Sequence, residues 1–334
     1  NVGLIGCGIK GCAHLLSFQH VPHAKIIAVS DPDLKRMEDP GGLGKYSIGA
    51  DISKHQDFRR ILEMKDIDAV VIATPNFWHA PMTLMSCEAG KHVYVEKPVS
   101  HSVEEGLKML EAERRYKRVV QAGLQHRSCT AVQECATDIE AGKYGKVKWV
   151  HVSKLMARKP IGNRTTPMTI PDTIDYNLWA GMASPPPILR NEFHYDWHWQ
   201  WKWGDGETAN WGVHYLDDVR HMMGWDDIPD NAVSIGSRWW DDVGDTPNIQ
   251  LTLMEHRGIP LVTDIRLVQD FARGDKGGAI YRRARHGSYI MCENGYIQMA
   301  RGGGKSFDHN HKMIKQYKGT AGAGHDANFI EAIR

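Results

Sequence analysis

The sequence has no long apolar run, no excess of charge of either sign and few cysteines. No stretch approaches the ~18 consecutive apolar residues that a membrane-spanning helix needs. Lysine and arginine total 41 and aspartate and glutamate total 40, which leaves a formal net charge of +1 at pH 7. Without a general electrostatic field, we expect no binding to nucleic acid or to membranes, and recognition must depend on a local site.

The six cysteines are spread along the chain, with no CxxC pair and no alternation with histidines at zinc spacing. We therefore expect neither a disulfide framework nor a metal. Scattered thiols are typical of a reducing compartment, which favours a cytoplasmic protein. A secreted protein with unpaired buried cysteines, whose signal peptide precedes Asn1, would have the same composition.

A chain of 334 residues exceeds what one hydrophobic core usually holds. Apolar strands alternate with helical stretches in the first part, which predicts βαβ units and a doubly wound parallel sheet. Later segments alternate apolar and polar residues, and Asn294-Gly295 is a two-residue hairpin signal. We predict a Rossmann-type domain over residues 1–125 and an α+β domain with a large, mostly antiparallel sheet over residues 126–334.

The chain opens with an apolar strand, a glycine turn and a helix. The turn reads Gly6-Cys7-Gly8-Ile9-Lys10-Gly11. In a dinucleotide-binding turn, Gly6 permits the tight bend, Gly8 lets a pyrophosphate approach the backbone, and Gly11 lets helix and strand pack closely. Such a motif alone is weak evidence, since a plain tight turn has the same residues.

An acid after the second apolar strand supports the dinucleotide interpretation. Asp31 lies 20 residues beyond Gly11, where a carboxylate hydrogen-bonds the ribose 2′-hydroxyl. A carboxylate there repels a 2′-phosphate, so NAD is favoured over NADP, although Lys35 and Arg36 nearby reduce the margin. We predict NAD, bound in part by Gly6, Gly8, Ile9, Lys10, Gly11 and Asp31.

Polar residues end two further predicted strands of the parallel sheet. One strand ends in Thr74-Pro75-Asn76-Phe77-Trp78-His79 and the next in Glu96-Lys97-Pro98. Ligands bind at the carboxyl ends of strands in such sheets. We therefore add Thr74, Asn76, His79, Glu96, Lys97 and Gln125 to the predicted cofactor contacts.

An irregular, aromatic-rich insertion covers about residues 158–205. Tyr195, Trp197, Trp199, Trp201 and Trp203 occupy every second position, and His194, Asp196, His198, Gln200 and Lys202 alternate with them. If this segment is extended, it has one aromatic and one polar face. The aromatic face fits a sugar-binding platform or, with somewhat more weight, core packing or a subunit contact. A divalent-ion site on the polar face is the least favoured alternative.

A helix is predicted from about residue 207 to residue 223. Asn210 and His214 are four residues apart and share one face of it, with Asp217 beside them. A histidine on a helix face is most often structural. A catalytic role requires that this helix point at the end of the sheet that carries Lys97.

Taken together, these motifs resemble the Gfo/Idh/MocA family, the glucose–fructose oxidoreductase and inositol dehydrogenase type. The resemblance covers nearly the whole chain and consists of the glycine turn, Thr74-Pro75-Asn76 with His79, Glu96-Lys97-Pro98, and the helix bearing His214. It implies that Lys97 contacts substrate and nicotinamide and that the peptide bond before Pro98 is cis.

The sequence departs from the family pattern at one position. The family's helix usually carries an Asp four residues before the His, but this chain has Asn210. An amide carries no charge that would raise the pKa of an imidazole. Asp205, Glu207 and Asp217 are the candidates to supply that charge.

The main functional hypothesis is hydride transfer between nicotinamide and a secondary hydroxyl carbon of a sugar, sugar alcohol or glycoside. His214 is the predicted general base, and Lys97 as an ammonium stabilises the alkoxide. The predicted substrate contacts are Lys97, Arg127, Arg158, His194, Asn210, Trp211 and His214. The resemblance also implies a homo-oligomer. The alternatives are an NAD-dependent glycosidase or lyase without net redox change, and a non-enzymatic NAD-binding regulator.

Overall fold

The computed structural model describes residues 1–181, 185–269, 285–320 and 322–334. The first part of the chain forms a parallel sheet of six strands in the order β3-β2-β1-β4-β5-β6. The strands are β1 (Val2–Ile5), β2 (Ile26–Ser30), β3 (Ser53–His55), β4 (Ala69–Ile72), β5 (His92–Glu96) and β6 (Val120–Gly123). The helices are α1 (Ile9–Phe18), α2 (Leu34–Glu38), α3 (Arg59–Glu63), α4 (His79–Glu88) and α5 (Val103–Tyr116). This confirms the predicted doubly wound sheet.

The second part of the chain contains a sheet of eight strands in the order β14-β13-β12-β11-β7-β10-β9-β8. The strands are β7 (Val147–Leu155), β8 (Asn231–Ser237), β9 (Ile249–His256), β10 (Ile259–Arg266), β11 (His286–Cys292), β12 (Gly295–Ala300), β13 (Gly303–Phe307) and β14 (Met313–Lys318). The remaining helices are α6 (Thr130–Glu140), α7 (Tyr176–Ala180), α8 (Val213–Met223) and α9 (His325–Ile333). Among the described strand pairs of this second sheet, only β7–β10 is parallel. The predicted, mostly antiparallel sheet is therefore also confirmed.

The packing of helices against the large sheet positions the candidate site. Helices α6 and α8 cover one face of the large sheet, where Val150 and Val152 of β7 pack with Tyr215 and Val219 of α8. This packing brings the start of α8 toward the carboxyl end of β5. None of the helices in the described ranges is long and apolar enough to cross a membrane.

The last helix returns to the first sheet. Phe329, fully buried on α9, packs in the same cluster as Val2, Leu4 and Val29. The proposed division of the chain at residues 125 and 126 stays a prediction, and α9 contributes to the core of the first sheet although it closes the second part of the chain.

The aromatic segment is not extended, contrary to the expectation of one aromatic and one polar face. Residues Asp196–Trp199 form a short 3₁₀ turn, and Trp197, Trp199 and Trp203 are buried together with Asp196. A 3₁₀ helix has three residues per turn, so side chains three positions apart share a side and the period of two is lost. The buried tryptophans support the core-packing interpretation for these side chains.

The insertion also contacts the nucleotide-binding edge of the first sheet. The Asp175 amide donates to the Pro32 carbonyl over 2.9 Å, and the Leu34 amide donates to the Thr173 carbonyl over 3.0 Å. At the neighbouring strand, the Trp78 indole donates to the Trp179 carbonyl over 2.9 Å. These bonds fix the insertion beside the carboxyl ends of β2 and β4.

Candidate active site

Glu96 is the centre of a buried polar network at the carboxyl end of β5. It is 3% exposed. Its Oε1 lies 2.9 Å from His14 Nε2 and 3.2 Å from Lys10 Nζ, and it accepts a 2.6 Å hydrogen bond from Gln125 Nε2. Burial alone would raise the pKa of Glu96, but Lys10 and His14 hold it well below its ordinary value. The carboxylate accepts a hydrogen bond from the amide of Lys97 and so fixes the backbone of the next residue.

Lys97 reaches from this strand end to the start of α8. Its Nζ donates to the main-chain carbonyl of Asn210 over 2.7 Å and to Oδ1 of the same residue over 3.1 Å. The Asn210 amide donates in turn to Glu207 Oε2 over 3.2 Å, and Arg158 donates to Glu207 Oε1 over 3.2 Å. A chain of hydrogen bonds therefore links the ammonium to a buried carboxylate. The peptide bond before Pro98 is cis, as the family resemblance implies.

A π-helical turn presents Asn210 to the lysine. The predicted helix is α-helical only from Val213, and residues Thr208–Gly212 form a π-helix before it. Such turns are rare and concentrate at functional sites. The wide turn places both the carbonyl and the side-chain oxygen of Asn210 toward Lys97.

His214 lies on the same face of this element, and none of the described acidic residues forms an ion pair with it. Its ring stacks on His126 with a centroid separation of 4.8 Å, and His126 Nδ1 lies 2.9 Å from Asp218 Oδ2. The Nδ1 atom of His214 is buried and lacks a hydrogen-bond partner among the described residues. Desolvation and then the positive charge of Lys97 lower the pKa of His214 to about 3, so the imidazole is neutral at pH 7.

The ammonium of Lys97 is also disfavoured by its surroundings. Burial lowers its pKa from the ordinary value, and the carboxylates of Glu96 and Glu207 offset only part of this effect. Of the candidate acids, Glu207 contacts Asn210 directly, while Asp217 pairs with Arg127 over 2.7 Å. The negative charge that Asn210 lacks is therefore carried by Glu207, which accepts a hydrogen bond from the Asn210 side chain.

The glycine turn has the shape that a dinucleotide requires. A side chain at Gly6, whose φ is +96°, would lie 2.5 Å from the Ala73 carbonyl, and one at Gly11 would overlap the Gly6 carbonyl. At Gly8 nothing lies within 4 Å of the position of a side chain, and the helix that follows has no side-chain cap. Open space before an uncapped helix amino end suits a diphosphate. The residues present fit NAD.

Asp31 lies beside this turn. Its Oδ2 accepts a 2.7 Å hydrogen bond from the Cys7 amide, and its Oδ1 accepts one of 2.9 Å from the Asp33 amide. Each carboxylate oxygen has two lone pairs, which leaves one on each for ribose hydroxyls. Burial, only partly offset by these hydrogen bonds, raises the pKa of Asp31.

The residues after β4 form the adjoining wall. His79 lies between two carbonyl oxygens, with Nδ1 2.5 Å from that of Pro98 and Nε2 2.9 Å from that of Thr74. The Asn76 amide donates to Asp205 Oδ2 over 2.7 Å. The Thr74 hydroxyl is buried and has no hydrogen-bond partner in the part of the chain that the structure describes. His79 thus joins the two strand ends, and Thr74 retains a donor for a ligand.

Two predicted substrate contacts lie with other partners. His194 Nε2 is 2.9 Å from Asp33 Oδ2, on the nucleotide side of the insertion. Arg127 makes a bidentate pair with Asp217 on α8. Substrate contact by His194 and Arg127 stays a prediction, while Lys97, Arg158, Asn210, Trp211 and His214 are brought together.

Sequence reasoning missed several residues of this site. Lys154, on β7, is 3% exposed and its Nζ lies 4.1 Å from the centre of the Trp211 ring. His198 is half-buried and stacks on Trp197, with ring centres 3.7 Å apart. Desolvation lowers the pKa of His198 to about 3. The sequence of β7 contains both Lys148 and Lys154, and no local signal separates the buried Lys154 from the exposed Lys148.

The chain is similar in sequence to known oxidoreductases and in fold to solved structures. The oxidoreductase YrbE of Bacillus subtilis is 27% identical over 78% of this chain, and inositol 2-dehydrogenase 4 of Saccharopolyspora erythraea is 33% identical over 52% of it. The aligned regions span 65% and 50% of the lengths of these two relatives. Levoglucosan dehydrogenase in complex with NADH superimposes with a TM-score of 0.70, covering 100% of this chain and 87% of that chain at 18% identity. At that identity the likeness shows the fold alone.

Family models match both parts of the chain. The model of an oxidoreductase family with an NAD-binding Rossmann fold matches residues 1–124. The model of the family's C-terminal alpha/beta domain matches residues 114–284, which is more than half of the chain. This protein therefore belongs to the Gfo/Idh/MocA oxidoreductase family, which has an NAD-binding Rossmann fold.

Proposed function

We propose that the protein is an NAD-dependent oxidoreductase acting on a secondary hydroxyl of a sugar, sugar alcohol or glycoside. The observation that carries the proposal is the position of Lys97, whose Nζ is held 2.7 Å from the Asn210 carbonyl between the glycine-turn side of the site and His214. NAD, when bound, supplies the hydride acceptor. The dehydrogenase names of the relatives support the same reaction class.

Proton transfer is best assigned to Lys97. A secondary hydroxyl that loses hydride must also lose its proton, so a base is required within hydrogen-bond reach. The sequence-based hypothesis gave this role to His214, but burial, and then the charge of Lys97, lower the pKa of His214 to about 3, which makes its imidazole a weak base. The neutral amine of Lys97, its pKa lowered by burial, is the stronger base. Neutral His214 would orient the hydroxyl by hydrogen bonding.

A scan of sugars, polyols and glycosides against the NAD-loaded enzyme tests the proposed reaction. We expect at least one of these compounds to reduce the bound NAD, which is measured as the absorbance of reduced nicotinamide. Release of an aglycone from aryl glycosides without accumulation of NADH would instead indicate the redox-neutral reaction. Tight NAD binding with no turnover of any compound would contradict the enzymatic assignment.

The pH dependence of turnover separates the two candidate bases. We expect kcat/KM to rise with pH, since only neutral Lys97 accepts a proton, with a midpoint below the ordinary lysine value of 10.5. This rise of kcat/KM with pH should persist in the His214→Asn variant, although the rate is lower. Two results would assign the base role to His214 instead. One is a kcat/KM that does not change above pH 5, and the other is a rise with pH that is lost only in His214→Asn.

Asp31→Asn should reverse part of the cofactor preference. The wild-type carboxylate accepts hydrogen bonds from ribose hydroxyls and repels a 2′-phosphate, whereas the amide does not repel it. We expect the ratio of NAD to NADP affinity to fall by about tenfold, equivalent to ~1.4 kcal/mol, in titrations of both cofactors. Asp51→Asn, at an exposed carboxylate of the same sheet region, serves as the control. An unchanged ratio in Asp31→Asn would remove Asp31 from the ribose site.

The outer face of the large sheet supports the expected homo-oligomer. Val233 and Ile235 on β8 are 65% and 77% exposed, and Leu253 on β9 is 60% exposed. Neighbouring exposed apolar side chains of this kind mark association surfaces. Light scattering is expected to show an oligomer that Ile235→Glu weakens, and a monomeric wild-type protein would contradict this.

A further inference from the structure

Lys154 is a second buried lysine near the proposed reaction centre, and none of the described acidic residues forms an ion pair with it. Lys154 projects from β7 toward the Trp211 ring. None of the carboxylates in the described ranges lies within ion-pair distance of its Nζ. Burial is the largest effect on this group and lowers the pKa of Lys154 to about 8. At neutral pH the side chain is therefore a largely buried cation.

Two arginines add to the positive charge around it. Arg158 lies 5.0 Å from the Trp199 ring, and its Nε is buried without a hydrogen-bond partner among the described residues. The Arg301 guanidinium lies 5.7 Å from the centre of the Trp211 ring. We call Lys154, Arg158 and Arg301 the cation group.

Among the described residues, Glu207 is the carboxylate that faces the cation group, and both of its oxygens already accept hydrogen bonds. Glu207, fully buried, accepts from Arg158 through Oε1 and from Asn210 through Oε2. Contact with an aromatic face offsets part of the cost of burying a cation, by roughly 0.5–2 kcal/mol. Buried charges are usually paired, because the free-energy cost of burying an unpaired charge is far larger than the stabilisation from such an aromatic contact. The excess positive charge therefore calls for an anion that the residues described in the structure do not provide.

The geometry points to a substrate anion at this place. We propose that Lys154 and Arg158 bind a carboxylate or phosphate group of the carbohydrate substrate, which makes the substrate an acidic sugar or a sugar phosphate. Trp211 is half-buried and Arg301 is exposed, so the cation group opens to solvent on the Arg301 side. Glu207 joins this subsite through Asn210 to Lys97, which places the anion and the reacting hydroxyl at opposite ends of one ligand. The inference rests on the proposed function for the identity of the substrate.

Paired probes test the charge requirement. Binding of D-glucuronate, D-gluconate and D-glucose 6-phosphate to the NAD-loaded enzyme is measured by calorimetry against D-glucose and D-glucitol. We expect the anionic probes to bind about tenfold or more tightly, the scale of a close charge pair. Comparison of glucuronate with glucose 6-phosphate identifies which anion the site prefers.

Variants assign the preference to residues. Lys154→Met should remove the preference for the anion, Lys154→Arg should retain it, and Lys159→Met, at an exposed lysine next to Arg158, should leave it unchanged. Failure of every anionic probe to bind, equal binding of anionic and neutral probes, or a preference that survives Lys154→Met would overturn the proposal.

The same measurements separate this inference from the proposed function. Reduction of NAD by neutral sugars as efficient as that by their acids would overturn the anion subsite and leave the oxidoreductase assignment intact. Lys154-dependent anion binding with no NAD reduction by any probe would support the subsite and count against the oxidoreductase assignment.

Discussion

Lys97→Met is expected to lower turnover by about 10²–10⁴-fold, the usual effect of losing a general acid or base, while NAD still binds. The Lys97 Nζ is fixed by hydrogen bonds to the Asn210 carbonyl over 2.7 Å and to its side-chain oxygen over 3.1 Å. Methionine keeps the length and apolar stem of lysine but can neither accept a proton nor stabilise an alkoxide. Stopped-flow or steady-state absorbance of reduced nicotinamide measures the loss.

Two companion variants make the result specific to the amine. Lys97→Arg keeps the positive charge but cannot act as a base at accessible pH, so its turnover should be nearly as low. Lys108→Met, on the exposed face of α5, should behave as wild type. Near-normal turnover of Lys97→Met with cofactor bound would remove Lys97 from the mechanism.

Glu207→Leu is expected to reduce the free energy of unfolding by about 3–5 kcal/mol, the cost of removing one partner from a buried ion pair. The carboxylate is fully buried, and its loss leaves the Arg158 guanidinium, only 13% exposed, without a countercharge. It also frees the Asn210 amide, which then lacks its acceptor. Urea denaturation followed by tryptophan fluorescence measures the change.

The double variant Glu207→Leu/Arg158→Leu shows whether the stranded charge is the cause. Replacing both partners of a buried pair by apolar residues is often close to neutral. We therefore expect the double variant to recover a large part of the stability lost in Glu207→Leu. Stability that falls further in the double variant would mean that packing, not charge, determines the role of Glu207.

Local patterns were sufficient to predict the first sheet and its ligand-binding edge. The residues after β1, β2, β4 and β5 are polar or glycine, and the carboxyl ends of parallel strands meet at one edge, so Gly8, Asp31, Thr74 and Lys97 could be placed together without coordinates. The hairpin between β11 and β12 was predicted from Asn294-Gly295, although its two-residue turn is Glu293-Asn294 and Gly295 already pairs with Cys292. In each case the signal and its structural consequence lie within a few residues.

Features that depend on distant contacts were not predictable in the same way. Glu207 and Lys154 enter the site only because β7 and the start of α8 pack together, and no short motif records that packing. The alternation from Tyr195 to Trp203 predicted an extended segment, but residues Asp196–Trp199 form a 3₁₀ turn that buries Trp197, Trp199 and Asp196 together. The turn at Thr208–Gly212 is π-helical although its sequence reads as ordinary helix.

The return of α9 to the first sheet has a consequence for modular engineering. Gln121 on β6 donates to the His325 carbonyl over 2.9 Å, and Phe329 is fully buried among side chains of the opening strand. The nucleotide-binding half is thus assembled from both ends of the sequence. Chimaeras that exchange only the amino-terminal segment between relatives would pair a foreign sheet with the resident helix. Exchange of both ends together is the crossover design that preserves this core.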